Sequence, residues 1–344
     1  MRVVGGQIKR RVGSGSTDGD PYEGLLRMSC EGERSISMFK QILVPLDGSA
    51  RAEQALPIAA RLARVSNGTV SLVQAVWPQS EFMTSVGEIV LPDILDESVQ
   101  AAKAYLEDVA ITNSLEGIRT ATQVVIGHPT QAIIVAANAD NIDLVVICSH
   151  GYTGEMRWSM GSIAEKVARH APSPVLILHE DCVLLTESEV VPHGSARILV
   201  PLDGSEHAEG AILQAELLAW ALSTPARGKL HLTRVVSSES SRFHEEVERT
   251  QQYLGSVVER WQQHPPKDAG VLFDLPMTWS ITVDGDPASG IIQAVENSGK
   301  GEDESYQVIA MATHGLGGPQ LWAMGNTTER VLQAARQSLL IVRR

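Results

Sequence analysis

Aromatic residues are scarce in this chain of 344, at 4% of the total, and cysteine is scarcer still, with three. Cys30, Cys148 and Cys182 are odd in number and far apart. That excludes a disulfide framework and a zinc pattern, and suits a reducing, cytoplasmic setting. No apolar run reaches the roughly 18 residues that a membrane helix needs, so no membrane role is expected. Positive charge is short as well: 28 Lys and Arg stand against 41 Asp and Glu, a formal net charge of -13. Nucleic acid and anionic lipid would be repelled over most of such a surface. Also missing are the Gly-x4-Gly-Lys-Ser/Thr phosphate loop, the His-Glu-x2-His zinc motif and the Gly-x-Ser-x-Gly elbow. Three common routes to fast hydrolysis therefore find no residues here.

What is present is a repeat. Ile42 to Ser49 reads ILVPLDGS, and Ile198 to Ser205 reads the same eight residues. Further along, Gly127-His128-Pro129 answers to Gly285-Asp286-Pro287, Ser149-His150-Gly151 to Thr313-His314-Gly315, and Gly161-Ser162 to Gly325-Asn326. The unit is too long for a solenoid repeat and suits a whole domain duplicated in tandem. Most of the drift in register falls in the polar stretch Asn297 to Ser305. It reads as a lengthened surface loop away from any crevice, suited to partner contact. Residues 38–180 make the first domain, 181–196 an acidic linker and 197–344 the second domain. Residues 1–37 are rich in Gly, Ser and charge, lack the apolar stretch of a signal peptide, and are expected to be a disordered tail. Met38 directly precedes the first strand and is an alternative start to Met1.

Each copy alternates strand and helix. Gln41 to Leu46 is an apolar run ended by Asp47-Gly48-Ser49, after which Ala52, Ala55, Leu56, Ala59 and Leu62 recur at helical spacing. Pro57 is expected to bend that helix. Strands follow at Thr69 to Val76, Thr122 to Ile126, Leu144 to Cys148 and Val175 to Leu178. Between them come helices from about Ile94 to Leu115, after Pro129, and from Ser162 to His170. The second copy repeats the order, with strands near Ile198 to Leu202, Leu230 to Val236, Thr278 to Val283, Val308 to Ala312 and Leu339 to Val342. The pattern predicts an α/β fold: two tandem open parallel five-stranded sheets, flanked by helices and linked by right-handed crossovers.

Ligands of such sheets bind beyond the carboxyl ends of the strands, where the topology reverses. Asp47 closes the first strand and Ser149-His150-Gly151 the fourth, so both should face one crevice. Gly161-Ser162 opens a helix whose free amides suit a phosphate. Simpler readings stand beside these. Ser162 to Glu165 also reads as a capping box, as Asn326 to Glu329 nearly does. Asp47 and Asp203 could simply hold turns. His150 and His314 lack a visible partner that would orient a general base.

These motifs resemble a tandem universal stress protein over almost everything from Gln41 to Arg344. Nucleotide-binding members carry Gly-x2-Gly-x9-Gly-Ser/Thr after the fourth strand. The first copy matches except that Cys148 stands at the first glycine, whereas the second departs at Ala312 and Asn326. The resemblance implies a Rossmann-like fold of the adenine nucleotide alpha hydrolase type. It places Pro45 and Ala75 by the base and Asp47 by the ribose and phosphates. Cys148, His150, Gly151, Gly161, Ser162 and Ile163 stand around the phosphates. The matching positions of the second copy are Pro201, Asp203, Val235, His314, Gly315, Gly325, Asn326 and Thr327. It implies a cytoplasmic stress-response sensor or regulator that binds ATP, with ADP or AMP as alternatives and Mg2+ arriving with the phosphates, better in the first copy. It also implies a pseudo-dimer formed through the two last strands, with a further homodimer open. A scaffold acting through protein partners and a slow ATP hydrolase are the alternative readings. Arg157 is the only full positive charge between Gly151 and Gly161, which speaks against efficient turnover.

Overall fold

The computed structural model describes residues 4–7, 39–77, 91–139, 141–150, 160–179, 195–223, 228–263, 275–298, 305–313 and 324–343. A short strand β1 (Val4–Gln7) comes first. The first copy then runs β2 (Gln41–Leu46), α1 (Ala50–Glu53), α2 (Ala55–Ser66), β3 (Thr69–Val76), α3 (Leu91–Ala110), β4 (Arg119–Ile126), α4 (Pro129–Ala139), β5 (Leu144–Cys148), α5 (Ser162–His170) and β6 (Val175–Leu178). The second runs β7 (Arg197–Pro201), α6 (Glu206–Ser223), β8 (Lys229–Val236), α7 (Phe243–Gln263), β9 (Met277–Val283), α8 (Pro287–Glu296), β10 (Val308–Ala312), α9 (Asn326–Ala334) and β11 (Ser338–Val342).

The central strands are apolar on both faces because helices cover both; every residue of β5 and β11 is buried. Alternate side chains feed two cores. Ile42, Val44 and Leu46 pack with helices α1 and α2 on one face, while Leu43 packs on the other with Ala164, Val167 and Ala168 of α5. Within the first copy the strand order is β6-β5-β2-β3-β4, all parallel, and the second repeats it as β11-β10-β7-β8-β9. The chain reverses direction across the sheet between β2 and β5, and again between β7 and β10.

The expected pair of sheets is in fact joined into one. Strands β6 and β11 run antiparallel, with Leu339 opposite Ile177, Leu340 opposite Leu176 and Ile341 opposite Val175. Each of these two edge strands would otherwise leave its backbone groups unpaired, and each supplies the other's partners. Helices meet across the same seam, where Arg61 Nε donates to Ala221 O at 3.3 Å.

Three expectations need correction. The helix after Asp47 is not bent at Pro57 but divided, with α1 ending before Gln54 and Pro57 in the first turn of α2, where a missing N–H removes no intrahelical bond. The long helix spans Leu91–Ala110 and hands over to a separate 3-10 turn, Asn113–Leu115. The tail is not wholly without structure: Val4–Gln7 adds antiparallel to β9, Val4 opposite Ile281 and Gln7 opposite Thr278, where that outer strand would otherwise leave its backbone unpaired. Residues 8–38 and most of the linker lie outside the described residues.

Candidate functional site

The duplicated ILVPLDGS segment ends in the same turn twice. Asp47 Oδ1 accepts from Ser49 N–H at 3.0 Å and from Ser49 Oγ at 2.6 Å, and Ser49 Oγ accepts from Ala52 N–H at 3.2 Å. Asp203 Oδ1 accepts from Ser205 N–H at 2.9 Å and Ser205 Oγ at 2.6 Å, and Ser205 Oγ accepts from Ala208 N–H at 3.1 Å. Between them Gly48 at φ 83° and Gly204 at φ 95° occupy the left-handed region that only glycine enters cheaply. The turn-holding reading of the two aspartates is therefore what the bonds display. Asp47 nonetheless remains exposed at the carboxyl end of β2.

The neighbouring strand end is built to bring a helix start close. Gly161 N–H donates to Ser149 O at 2.9 Å, and a Cβ added at Gly161 would lie 2.4 Å from that oxygen. Only glycine permits such contact. In the second copy Gly325 N–H donates to Thr313 O at 2.7 Å. Here the capping-box expectation fails. The N-cap residues are Gly161 and Gly325, which have no side chain, so Ser162 and Asn326 are already the first helical residues and neither helix receives a side-chain cap bond. Among the described residues no side chain caps the first amides of α5 and α9, which stand at the positive ends of the helix dipoles.

Around this start the first copy places its other candidates unevenly. Pro45 is buried in β2, and Ala75 lies half-buried in β3, opposite Val125 of β4. Ser162 and Ile163 are exposed. Cys148 is buried and turns its Sγ toward Ala52 O, 3.8 Å away, so it packs under α1 in the core. His150 is 7% exposed; its Nδ1 shares a hydrogen bond with Ser149 Oγ at 3.1 Å, and its buried Nε2 has no partner among the described residues. In the second copy Pro201 is buried, Asp203, Val235, Gly325 and Thr327 are half-buried, and Asn326 is exposed. Thr328 Oγ1 ties α9 to Ala312 O at 3.0 Å. Gly151, His314 and Gly315 lie outside the described residues.

The universal stress protein family model matches residues 38–179 and again 195–343. The chain belongs to the universal stress protein family. A universal stress protein of Mycobacterium tuberculosis is 25% identical over 314 residues, covering 88% of this chain and 96% of that protein. One from Thermus aquaticus is 31% identical over 143 residues, 41% of this chain and 99% of its own length. Among solved structures, a universal stress protein from Archaeoglobus fulgidus superposes with a TM-score of 0.60 at 20% identity, covering 89% of this chain and 98% of that one, which shows the shared fold.

This universal stress protein also carries residues that motif reading passed over. Tyr105 of α3 donates to Glu53 Oε1 at 2.9 Å, and Tyr253 of α7 donates to Glu209 Oε1 at 3.1 Å. Both phenols are pushed above their ordinary range, Tyr105 by burial and then by Glu53, Tyr253 by burial and then by the Glu209 charge. The signal was available: Asp-Gly-Ser-x3-Glu occurs at Asp47 to Glu53 and again at Asp203 to Glu209. Each pair lies close to its aspartate turn, since Asp47 and Asp203 add to the upward push on the two phenols. Among the described residues no helix is long and apolar enough to cross a membrane.

Proposed function

We propose that the protein binds an adenine nucleotide, ATP in the first instance, in the crevice of the first copy between the ends of β2 and β5, and acts as a cytoplasmic sensor or regulator in stress. The observation that carries this reading is the start of α5. Its N-cap is a glycine held against Ser149 O, and among the described residues no side chain caps it and the buried Nε2 of His150, the residue after Ser149, has no partner. A cap would have satisfied those amides at no need of a ligand; its absence favours an anion there.

In this reading the amides of Ser162, Ile163 and Ala164 hold phosphate oxygens, with Gly151 and His150 beside them. Asp47 accepts from the ribose hydroxyls, while Pro45 and Ala75 frame the base. Mg2+ would be brought by the phosphates. The second copy, with Asn326 at its helix start, is the weaker site. The β6–β11 seam makes the two copies an intramolecular pseudo-dimer, and a homodimer of chains would be a further step.

Proline at position 162 tests the helix start directly. It removes one donor amide at the first helical position, which tolerates proline, and Gly161 at φ -64° and ψ 138° already has the conformation that a following proline requires. Calorimetric titration of the full chain with ATP should show the affinity falling about tenfold in Ser162→Pro, the loss of one charge-assisted hydrogen bond. Wild-type affinity in that variant, with an unchanged melting curve, would reject the site.

A further inference from the structure

Trp77 directly follows β3 and is 54% exposed. It meets the His128 imidazole edge-on, with ring centroids 5.9 Å apart and planes at 68°. His128 is itself held, because its Nδ1 accepts the N–H of Thr130 at 3.3 Å, which leaves the ring proton on Nε2. Both rings stand at the carboxyl ends of adjacent parallel strands, just beyond Ala75 and Val125, and Gly127 N–H donates to Val76 O at 2.9 Å to lock the two ends together. Ile126, 58% exposed, ends β4 there, and Ile163, 37% exposed, lies in the first turn of α5. Every large apolar side chain that is exposed among the described residues belongs to the first copy: Trp77, Ile111, Ile126, Val135 and Ile163.

The second copy has one more residue here and the opposite chemistry: Gly127 and His128 stand between β4 and Pro129, whereas three residues stand between β9 and Pro287. Ser237 follows β8 where Trp77 follows β3, and Asp286 precedes Pro287 where His128 precedes Pro129. Asp284 and Gly285 separate β9 from that aspartate, whose carboxylate caps α8 by accepting from Ser289 N–H at 2.8 Å. Asp286 is also paired with Arg330 of α9, and this polar rim offers a flat ring nothing to stack on. An exposed indole fixed against an imidazole offers a rigid apolar face at the carboxyl ends of β3 and β4, the same end of the sheet at which Gly161 bonds Ser149 O and α5 begins, and a base joined to phosphates requires both kinds of surface.

We infer that Trp77 and His128 form the base-recognition platform of the first copy and select a purine over a pyrimidine. The inference rests on the nucleotide reading above and adds the residues that set its specificity. The larger bicyclic ring covers more of the indole, and His128 Nε2–H is a donor for a ring nitrogen.

The test titrates the full-length wild type, Trp77→Ala and Trp77→Phe with ATP, UTP and inorganic tripolyphosphate, with sedimentation of the same samples. Trp77→Ala should weaken ATP about tenfold, the scale of one lost base–aromatic stack. It should leave tripolyphosphate unchanged and shrink the preference for ATP over UTP; Trp77→Phe should recover most of the loss. Equal weakening of ATP and tripolyphosphate would overturn the platform, as would unchanged ATP affinity or an effect confined to self-association of the chain. A wild type that takes up neither ATP nor tripolyphosphate would fail the nucleotide reading itself and the platform with it.

Discussion

The two copies agree where backbone is fixed and disagree where a ligand would look. The aspartate turns match bond for bond, both helices begin at an uncapped glycine, and both turns lie close to a Tyr–Glu pair. The rims diverge. The first copy presents Trp77 and His128, the second Ser237, Asp284 and Asp286. Beside the turn, Gln74 of the first copy is replaced by Arg234 of the second. The Arg234 guanidinium leans on Gly204, where a Cβ would lie 3.0 Å from its Nη1, and sits 5.6 Å from the Tyr253 ring. Duplication has kept the features set by steric necessity, such as a left-handed glycine, and varied the side chains of the rims. The two halves are one architecture with two rim chemistries.

The largest difference that can be removed by one substitution is buried. Glu216 of α6 is 6% exposed, at the place where α2 has Ala60, and burial alone pushes its carboxyl up to about 7. A carboxylic acid with a raised value keeps, in the folded state, a proton that the unfolded chain releases from its ordinary value of 4.5 upward. Folding then takes up a proton, and stability falls as pH rises through that window until the folded value is passed. Glu216→Gln, which cannot ionise, should therefore gain roughly 3 kcal/mol on the wild type at about pH 8 and nothing at about pH 4. Denaturant unfolding at both pH values measures it. An equal gain at both would mean that packing, and not the charge, separates the second copy from the first at this position.

Gly161 and Gly325 allow the helix starts to be broken one at a time. In Gly161→Ala the new Cβ meets Ser149 O, a backbone atom that cannot swing away. The strain should lower stability by about 1 to 3 kcal/mol, the range for overpacking, and remove tight ATP uptake. Gly325→Ala should be destabilising in the same way, since Gly325 N–H is bonded to Thr313 O at 2.7 Å, yet leave the tight site as it was. Thermal melts paired with ATP titrations separate the two effects. If Gly325→Ala abolished the tight site instead, the assignment of the better site to the first copy would be reversed.

Much of the fold was legible because strands buried on both faces are continuous apolar runs and the punctuation is Asp-Gly-Ser or Gly-x-Pro. The spans of β2, β3, β5, α5, β6 and β10 agree with the reading to the residue. The helix start was misread for a local reason. Ser-x2-Glu is the spelling of a capping box, but the 2.4 Å approach at Ser149 O forces glycine into the cap position, and no sequence window contains that contact. The division between α1 and α2 was hidden because Pro57 can serve either as a bend or as a first-turn residue. Trp77 and His128 went unnoticed as a pair because 51 positions separate them, and only the parallel pairing of β3 with β4 brings them together.

The smallest expected effect lies on the seam between the copies. Arg169, in the last turn of α5, donates through Nη2 to Glu165 and to Glu329, both at 2.9 Å, and Glu329 sits in the first turn of α9. One cation thus ties α5 of the first copy to α9 of the second, and the matching residue of the second copy is the neutral Gln333. The three side chains keep 24%, 29% and 34% of their surface, so solvent screens the bridge and its worth is under about 1 kcal/mol. The Arg169 guanidinium holds the Glu329 carboxyl below its ordinary range, so the contribution is present above the ordinary carboxylate value and fades as pH falls through the lowered one. Arg169→Gln makes the copies alike at this position. Its small deficit at neutral pH should shrink in high salt, as Coulomb attraction between partly exposed groups must, and vanish in acid below the lowered Glu329 value. A deficit indifferent to both salt and acid would show that Arg169 acts through its packing against α9 and carries no charge coupling between the two sites.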